Sequence, residues 1–420
     1  MTRASPIAAG SPDGRLRALS DAGSFVADPP AGASASLARF GIAAHDGDGI
    51  VTGRAAIGGR DVLVAAQDER FLRGAVGANH GNALASLFAR ARVERPAAVV
   101  LLLASGGVRL HEANAAELAL ARALTAEIDA RASGVPVVAI GVGDVFGGAS
   151  VLACACDRLA LLPAVRFGLS GPAVIEAARG RGELDSGDAD AVSAVFGAPA
   201  RAAEGVADLV ADDSETLRSW IGTAIGGAVP FERSVRATQV RLVERIGFGS
   251  FDAPWVSVEG RHASLREAGR TLGARDVVAI DAELLACLEG GGLDVLSIRE
   301  DSEGHEPTLA AERACLSQCL AHHACVLGLA RARGIRVEAL LTGTGHSAAF
   351  FANALQADRV SALPGARVVA MEVPAMARVL RLDPAKLAAL VEDDPLLGQP
   401  VRHFAALGGA TIVGESATPG

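Results

Sequence analysis

The chain has 420 residues, half of them hydrophobic, and a formal net charge of −9 at pH 7. This length supports two or three domains, and an acidic balance without a basic tail argues against a nucleic-acid partner. No apolar run approaches the roughly 20 residues that a membrane span needs, and the N-terminus lacks the apolar core of a signal peptide. We therefore expect a cytoplasmic protein that neither enters a membrane nor binds nucleic acid.

Two residue types restrict the chemistry by their scarcity. Lys386 is the single lysine and lies in a charged stretch, which disfavours a Schiff-base mechanism, and the absence of tyrosine excludes a tyrosine general acid. The six cysteines include Cys315, Cys319 and Cys325, which interleave with two histidines. We predict one helix from Leu309 to Ala332 and interpret these cysteines as a buried, thiol-lined face, with no metal site.

The N-terminal third begins with a short predicted helix around Gly14 to Ala22. Two strands follow, Gly49 to Ala56 and Arg60 to Ala66, separated by a Gly-Gly turn. A glycine-bearing turn, Gly74 to Gly81, then leads into a helix. Its amides could supply donors for a thioester or phosphate, but we favour a simple helix start.

Two glycine corners come next. Corner one runs from Ala104 to Glu112 and corner two from Gly141 to Ser150, and each follows an apolar, strand-like run. A helix is predicted between them, from Asn114 to Ala132. This order of strand, turn and helix is typical of parallel strands, whose ends place both corners at one edge of the sheet.

Backbone N–H groups at such an edge can converge on one ligand oxygen. We predict an oxyanion hole with one donor from Gly106 or Gly107 and one from Gly147 or Gly148. Losing one such donor typically raises a reaction barrier by about 3 kcal/mol. The alternative is that these glycines only permit close packing of helix on strand.

A third turn, Phe167 to Glu176, contains Ser170, Gly171 and Pro172. Pro172 suits the first turn of a helix, and Ser170 is a candidate N-cap. Nearby arginines offer a basic landing patch for an acidic partner, although a solvated surface is the usual fate of such residues. The four are Arg158, Arg166, Arg179 and Arg181.

The second half of the chain repeats the first at a spacing of about 200 residues. Cys156-Asp-Arg-Leu-Ala-Leu-Leu-Pro163 corresponds to Ala357-Asp-Arg-Val-Ser-Ala-Leu-Pro364, and corner two aligns near Ser347-Ala-Ala-Phe350. We predict two copies of one fold, packed about a pseudo-twofold axis, with a ligand in the cleft between them. The second copy has alanines for glycines and lacks a Gly-Gly pair in its first turn, so we place the chemistry in the first copy.

These motifs resemble the signature turns of acyl-CoA carboxyltransferase β-type subunits and, more closely, of the β subunit of biotin-independent malonate decarboxylase. The matching stretches are Ser105 to Ala113, Phe146 to Ser150 and Gly171 to Glu176. Residues from about 250 to 415 resemble the γ subunit of the same enzyme. The chain is interpreted as a β–γ fusion with domains at residues 1–235 and 236–420. The resemblance implies an α/β fold with two crotonase-like domains.

The resemblance also implies a reaction. A malonyl thioester on an acyl carrier protein would be decarboxylated to the acetyl thioester, through an enolate held in the oxyanion hole. The partner would bring the phosphopantetheine-type arm, so no resident cofactor is expected. A malonate or malonyl transferase would belong to the same pathway, and a homodimer is compatible with the resemblance. The alternatives are a biotin-dependent carboxyltransferase subunit and a non-catalytic scaffold that binds an acyl carrier.

Site residues follow from these motifs. His111, where the family usually has glutamine, is our first candidate for the proton donor to the enolate carbon, ahead of Glu112 and bound water. Arg109 could orient the leaving carboxylate or instead form a salt bridge to Glu112. The remaining substrate-binding candidates are Ser170, Gly171, Ala348 and Ala349.

Overall fold

The computed structural model describes residues 7–249, 253–266 and 269–414. Over these ranges the chain is a mixed α/β protein with two main sheets, one in each half. The predicted α/β class with parallel sheets is confirmed. None of the described helices is long and apolar enough to cross a bilayer.

The first sheet contains seven strands that lie side by side in chain order. The first three pair antiparallel, and every later neighbour pairs parallel. Helices cover both faces of the parallel part, which explains why its central strands are continuous apolar runs. The strands are β1 (Val26–Ala27), β2 (Ile50–Ile57), β3 (Arg60–Gln67), β4 (Ala98–Ser105), β5 (Val137–Val145), β6 (Arg158–Leu161) and β7 (Asp208–Leu209).

The second half contributes a six-stranded sheet and a two-stranded one. Its strands are β8 (Val256–Glu259), β9 (His262–Leu265), β10 (Val295–Glu300), β11 (Arg336–Leu341), β12 (Thr344–His346), β13 (Arg359–Ala362), β14 (Arg367–Val369) and β15 (Thr411–Ile412). The order in the larger sheet is β15-β13-β11-β10-β9-β8, and β12 pairs with β14. Only β8 and β9 pair antiparallel among these strands.

Sixteen α-helices connect and cover the strands in the described ranges. In the first half they are α1 (Pro12–Leu19), α2 (Ala78–Glu94), α3 (Ala113–Ala132), α4 (Gly148–Ala155), α5 (Pro172–Arg179), α6 (Ala189–Phe196), α7 (Ala198–Ala203), α8 (Ser214–Gly226) and α9 (Phe231–Ile246). The second half has α10 (Ala274–Gly290), α11 (Leu309–Arg313), α12 (Leu316–Ala332), α13 (Ser347–Ala352), α14 (Val373–Leu380), α15 (Pro384–Asp393) and α16 (Val401–Ala406).

The element predictions hold best where the local pattern is strong. The hairpin of β2 and β3 turns at two glycines with positive φ, and α3 spans nearly the predicted range. The single helix predicted from Leu309 to Ala332 is wrong, because the chain forms α11 and α12 instead. Cys315 separates them with φ 50°, ψ 66°, a left-handed conformation that a continuous α-helix does not contain.

The two halves share one hydrophobic core, and helices of each half pack against the other half. Helix α12 packs on α3 and α4 of the first half. Met376 and Leu387 of α14 and α15 pack with Leu110 of corner one. In the reverse direction, residues of α5 and α6 pack with Leu309, just after the first turn of the second copy. Each half therefore covers the first corner of the other, as a pseudo-twofold arrangement requires.

The proposed division between residues 235 and 236 falls inside α9. Because this helix packs on α10 and α12 of the second half, it belongs to the junction between the copies. The division at this point stays a prediction.

Candidate active site

The two glycine corners lie side by side. Strands β4 and β5 are parallel neighbours, with Ser105 opposite Val145, and the Phe146 amide donates to the Ser105 carbonyl at 2.8 Å. A Cβ atom added to Gly147 would lie 3.1 Å from the Gly107 Cα atom. The prediction that both corners share one edge of the sheet is confirmed.

One amide of each glycine pair is already used. The Gly106 N–H donates to the Arg73 carbonyl at 2.9 Å, and the Gly147 N–H donates to the Leu169 carbonyl at 3.0 Å. These two bonds tie the corners to neighbouring turns. Gly106 and Gly147 therefore shape the corners and do not supply free donors, which corrects half of the predicted donor set.

The other amide of each pair remains available. The Gly107 N–H reaches only the Ser105 Oγ atom, at 3.2 Å. Gly148 is the first residue of α4, where an amide has no acceptor within its own helix, and no described residue accepts from it. The partial positive charge of the helix N-terminus adds to this donor. Gly107 and Gly148 are thus the amides of the two pairs without a backbone acceptor among the described residues, and their role as oxyanion donors stays a prediction.

Glycine is required at this contact for steric reasons. Gly107 has φ 98° and Gly147 has φ 62°, and both values lie in the left-handed region. A Cβ atom on Gly107 would also approach the Phe146 carbonyl oxygen to 3.2 Å. The nearby turn at Gly74 is equally constrained, since its Cβ atom would lie 1.8 Å from the Ala104 carbonyl oxygen.

His111 lies half-buried at the end of corner one. Its ring meets the Phe40 ring edge to face, with centroids 5.1 Å apart. Burial lowers the pKa of His111, and the Arg109 charge lowers it further. A neutral imidazole is a weaker proton donor than an imidazolium, so this position makes His111 a less suitable acid than the sequence suggests.

Arg109 and Glu112 form a buried ion-pair network. Arg109 is fully buried, and its guanidinium contacts Asp48 at 2.5 Å, Glu112 at 3.2 Å and two backbone carbonyls. Glu112 also accepts from Ser34, from Ser36 and from the Ala78 amide. Arg109 therefore forms the salt bridge to Glu112 that was the alternative to its orienting a substrate carboxylate.

The contacts argue against two predicted roles. Every group around the Glu112 carboxylate is a donor, so it anchors corner one and does not act as a proton donor. The Arg109 guanidinium has no exposed edge to offer a substrate carboxylate.

The third turn is held by the second half. The Glu312 carboxylate accepts from the Ser170 amide at 2.6 Å and the Leu169 amide at 3.1 Å, and it lies beside the buried Arg201. The Ser170 Oγ atom lies 3.1 Å from the His305 Nε2 atom. The N-cap of α5 is Gly171 and not Ser170, whereas Pro172 does begin the helix.

Glu312, Arg201 and His305 were not identified from the sequence. Glu312 and Arg201 belong to no motif and become recognisable only when the two halves meet. His305 lies in the first turn of the second copy, which lacks a Gly-Gly pair, and its partner Ser170 is distant in the chain. No three His, Cys, Asp or Glu side chains within the described ranges gather as they would around a metal ion.

The second copy keeps the backbone of the corners. Gly304 has φ 90° and accepts from the Leu272 amide at 2.8 Å, just as Gly107 accepts from Val76 at 2.8 Å. Ser347 has φ 53°, matching Gly147. The two copies thus share backbone conformation at these turns, and the placement of the chemistry in the first copy stays a prediction.

The predicted substrate-binding residues of the second copy, Ala348 and Ala349, are both buried near the start of α13. They lie at the positions where the first copy has Gly148 and Ala149. Of these two positions only the first differs, with Ala348 in place of Gly148.

Comparison with known proteins agrees with this architecture. The carboxyl transferase domain model matches residues 14–240, more than half of the chain. The chain belongs to the carboxyl transferase domain family. The malonate decarboxylase gamma subunit model matches residues 269–418, so the chain joins the two units that the resemblance predicted.

Two curated relatives each match less than half of the chain. The chain is 32% identical to the malonyl-S-ACP:biotin-protein carboxyltransferase MADC of Malonomonas rubra, over 44% of this chain and 63% of that protein. It thus spans less than two thirds of that relative. It is 33% identical to the acetyl-coenzyme A carboxylase carboxyl transferase subunit beta of Rubrobacter xylanophilus, over 39% of this chain and 67% of that protein.

A solved structure supports the fold. The crystal structure of a Pseudomonas malonate decarboxylase hetero-tetramer in complex with malonate matches with a TM-score of 0.54 and 30% identity, covering 59% of this chain and 94% of that one. The fold of this chain is the crotonase-like fold, as predicted.

Proposed function

We propose that this protein decarboxylates a malonyl thioester carried on an acyl carrier protein and leaves the acetyl thioester. The carbon–carbon bond to the carboxylate breaks, carbon dioxide leaves, and the bonding electrons move onto the thioester carbonyl oxygen. The enolate carbon then takes a proton. The observation that carries the proposal is a pair of amides on two adjoining corners: the Gly148 N–H has no described acceptor, and the Gly107 N–H bonds only to the Ser105 hydroxyl.

These amides suit an oxygen that gains negative charge during the reaction. Two preorganised N–H donors stabilise the enolate more than the neutral carbonyl, so they lower the barrier and do not merely bind the substrate. The likeness to a protein named for malonyl-S-ACP and to a malonate decarboxylase supports the substrate class. No base is needed, because the electrons come from the breaking bond.

Gly148 offers a direct test of the donor. As the first residue of α4 it can accept proline, which fits that helical position and removes the N–H group. We expect Gly148→Pro to lower the rate of acetyl-carrier formation by about 10²- to 10³-fold. Gly148→Ala adds a Cβ atom against the same flexible Leu120 side chain but keeps the amide, so it is the matched control.

Mass spectrometry of malonyl-carrier protein follows the reaction, with biotin, metal and nucleotide left out. Circular dichroism checks that both variants fold. Equal rates for the proline and alanine variants would rule out the Gly148 amide as an oxyanion donor.

A biotin-dependent carboxyltransferase is the second candidate, favoured by the likeness to the malonyl-S-ACP:biotin-protein carboxyltransferase of Malonomonas rubra. Such an enzyme would transfer the carboxyl group only when a biotin carrier protein is added. A scaffold would bind the acyl carrier and leave malonyl intact. Running the same assay with and without biotin carrier protein separates the three.

The acyl carrier partner, its phosphopantetheine-type arm and a malonate or malonyl transferase in the same pathway stay part of the proposal. The predicted basic landing patch is weak as a docking site, because three of its four arginines are paired with carboxylates. The pairs are Arg158 with Asp208, Arg166 with Asp144 and Arg181 with Glu176.

A further inference from the structure

Five buried polar side chains form one hydrogen-bonded chain beneath the corners of the second copy. The Ser302 Oγ atom donates to Glu300 Oε1 at 2.8 Å, and Asn353 Nδ2 donates to Glu300 Oε2 at 2.7 Å. The His323 Nε2 atom lies 3.0 Å from Asn353 Oδ1, and its Nδ1 atom lies 2.6 Å from Asp281 Oδ1. We call these five residues the Glu300 cluster. It takes no part in the oxyanion site described above.

The first copy shows what the fold itself requires at the position of Glu300. Glu300 pairs with Leu341 in the parallel pair of β10 and β11, and Leu103 pairs with Gly141 in the equivalent pair of β4 and β5. Glu300 therefore occupies the position of an entirely buried leucine. A carboxyl group replaces a core side chain at this strand end.

The same change recurs on the helices. Helices α2 and α10 both have 17 residues and follow a glycine N-cap, so Asp281 corresponds to Ala85. The C-caps of α3 and α12 are each followed by a glycine with positive φ, Gly134 and Gly334. Counting back from these two glycines, His323 corresponds to Ala123. Asn353 ends α13 at the place where α4 continues with apolar residues.

The duplication thus acts as an internal control. One copy builds this part of the fold from apolar side chains, and the other places two carboxyl groups, an imidazole and an amide there. Burying such groups costs free energy that hydrogen bonds only partly offset, and apolar replacements of similar size are often neutral or stabilising. The fold does not need the Glu300 cluster, which points to a role in chemistry.

A cavity adjoins the cluster. It measures about 20 Å³, counted as the space open to the centre of a water molecule, and Glu300, Ser302, His323 and Asn353 line it. Ala349 of the second copy's corner lines it too. A single water needs roughly 10–15 Å³ counted this way, so the cavity has room for one. A proton can pass between Glu300 and the corner through that water.

The hydrogen bonds show how the cluster holds its protons. Asn353 donates to Glu300 through Nδ2, so its Oδ1 atom must accept from His323, whose other nitrogen donates to Asp281. This arrangement has an ionised Glu300 and a doubly protonated His323. Turning the amide over gives a protonated Glu300 and a neutral His323 with the same number of protons.

The electrostatics agree with a group that titrates near neutral pH. Burial raises the pKa of Glu300 to about 7, against lowering contributions from Ser302, Asn353 and His323. Burial lowers the pKa of His323, but the Asp281 charge and the hydrogen bonds to Asp281 and Asn353 outweigh burial, so the pKa of His323 is raised above its ordinary value. The other charged groups facing Glu300 or lining the cavity are Asp301, Arg299 and Arg266.

We propose that Glu300 is the acid–base group for the acyl ligand held by the Gly107 and Gly148 amides, acting through a water in the cavity at the second copy's corner, and that Asn353, His323 and Asp281 are its positioning residues. The identity of the acyl ligand rests on the proposed decarboxylation. His305, next to Gly304, bonds to Ser170 of the first copy's third turn, so the corners of the two copies border each other.

In this reaction Glu300 returns the proton that the enolate carbon needs. A carbon–hydrogen bond forms at the enolate carbon as an O–H bond of the cavity water breaks. The water regains a proton as the O–H bond of the Glu300 carboxyl group breaks. The carboxylate left behind is reprotonated from solvent before the next turnover, so no further reactant is required.

The test compares Glu300→Gln, Glu300→Leu and the control Glu259→Gln. Glu300→Leu installs the first-copy residue, and Glu259 is an exposed glutamate of β8, outside both corners. For the wild type we expect the rate of acetyl-carrier formation to fall as pH rises through about 7. Both Glu300 variants should lose this pH limb and run at least tenfold slower, whereas Glu259→Gln should match the wild type. Circular dichroism checks that all three variants fold.

Wild-type rate and pH profile in Glu300→Leu would overturn the proposal and make the cluster structural. If the wild type leaves malonyl-carrier protein intact, the proposed function fails instead, and an infrared titration decides about Glu300 separately. A carboxyl band that is absent in Glu300→Gln and whose pH midpoint shifts when acetyl-CoA is added supports the acid–base site. A midpoint unmoved by acetyl-CoA refutes it.

Discussion

At the residue scale, the buried ionisable groups divide into paired and unpaired ones. Arg109 is enclosed by carboxylates and carbonyls, and its charge is fully compensated inside the first half. Glu117 of α3 is different: it is 2% exposed, its Oε2 atom has no partner among the described residues, and burial raises its pKa to about 8. A carboxyl group in this environment favours its protonated form.

Glu117 should make stability depend on pH. Its folded pKa of about 8 lies above the ordinary value of 4.5, so its stabilising contribution is full below pH 4.5 and is lost as pH rises through about 8. Glu117→Gln should remove this dependence and gain up to about 4 kcal/mol over the wild type at pH 9. Urea unfolding at pH 5 and pH 9 measures the difference. The exposed Glu215→Gln is the control, and an equal pH dependence in wild type and Glu117→Gln would contradict the assignment.

At the element scale, the corners depend on backbone conformation more than on side chains. Gly107 and Gly304 share a left-handed conformation and a hydrogen-bonding pattern, although the residues that follow them differ. The same kind of conformation at Cys315 breaks the helix that periodicity predicts as continuous. Short turns between strands and helices therefore determine where the free amides point.

Gly107→Ala tests this dependence. The substitution forces a Cβ atom at φ 98° to within 3.2 Å of the Phe146 carbonyl oxygen, so we expect a loss of about 1–3 kcal/mol in stability. Acetyl-carrier formation should fall at least tenfold, because corner one must move. Gly222→Ala in α8 has open space and should stabilise by about 0.5–1 kcal/mol. Chemical denaturation measures the change in stability, and the mass-spectrometric assay measures the rate of acetyl-carrier formation. An unchanged rate in Gly107→Ala would show that corner one tolerates displacement.

At the scale of the whole molecule, each half completes the other. Helices of each copy cover the first corner of its partner, and Glu312 of the second copy binds two amides of the first copy's third turn. The site is therefore a property of the assembled chain and not of one copy.

Glu312→Ala should damage this junction. It leaves the amides of Leu169 and Ser170 without their acceptor and removes a carboxylate beside the fully buried Arg201, so we expect a loss of about 3 kcal/mol. Glu204→Ala removes the more exposed carboxylate that also binds Arg201 and should cost under about 1 kcal/mol. Thermal and denaturant unfolding of the two variants measure the contrast. Similar losses for both would mean that Glu312 does not hold the halves together.

The sequence by itself determined the parts of this protein that depend on neighbouring residues. Apolar runs predict the strands, glycine pairs predict the sharp corners, and the repeated motifs predict two copies of one fold, which the family resemblance implies to be crotonase-like. These features are local, so a linear pattern records them.

Only the tertiary structure decided which groups are free to act. The amides of Gly106 and Gly147 are occupied by Arg73 and Leu169, and Arg109 is neutralised by Asp48 from a distant turn. A hydrogen bond or ion pair between residues far apart in the chain leaves no periodic or compositional trace. Whether a donor or a charge is available therefore follows from folding, not from the identity of the residue alone.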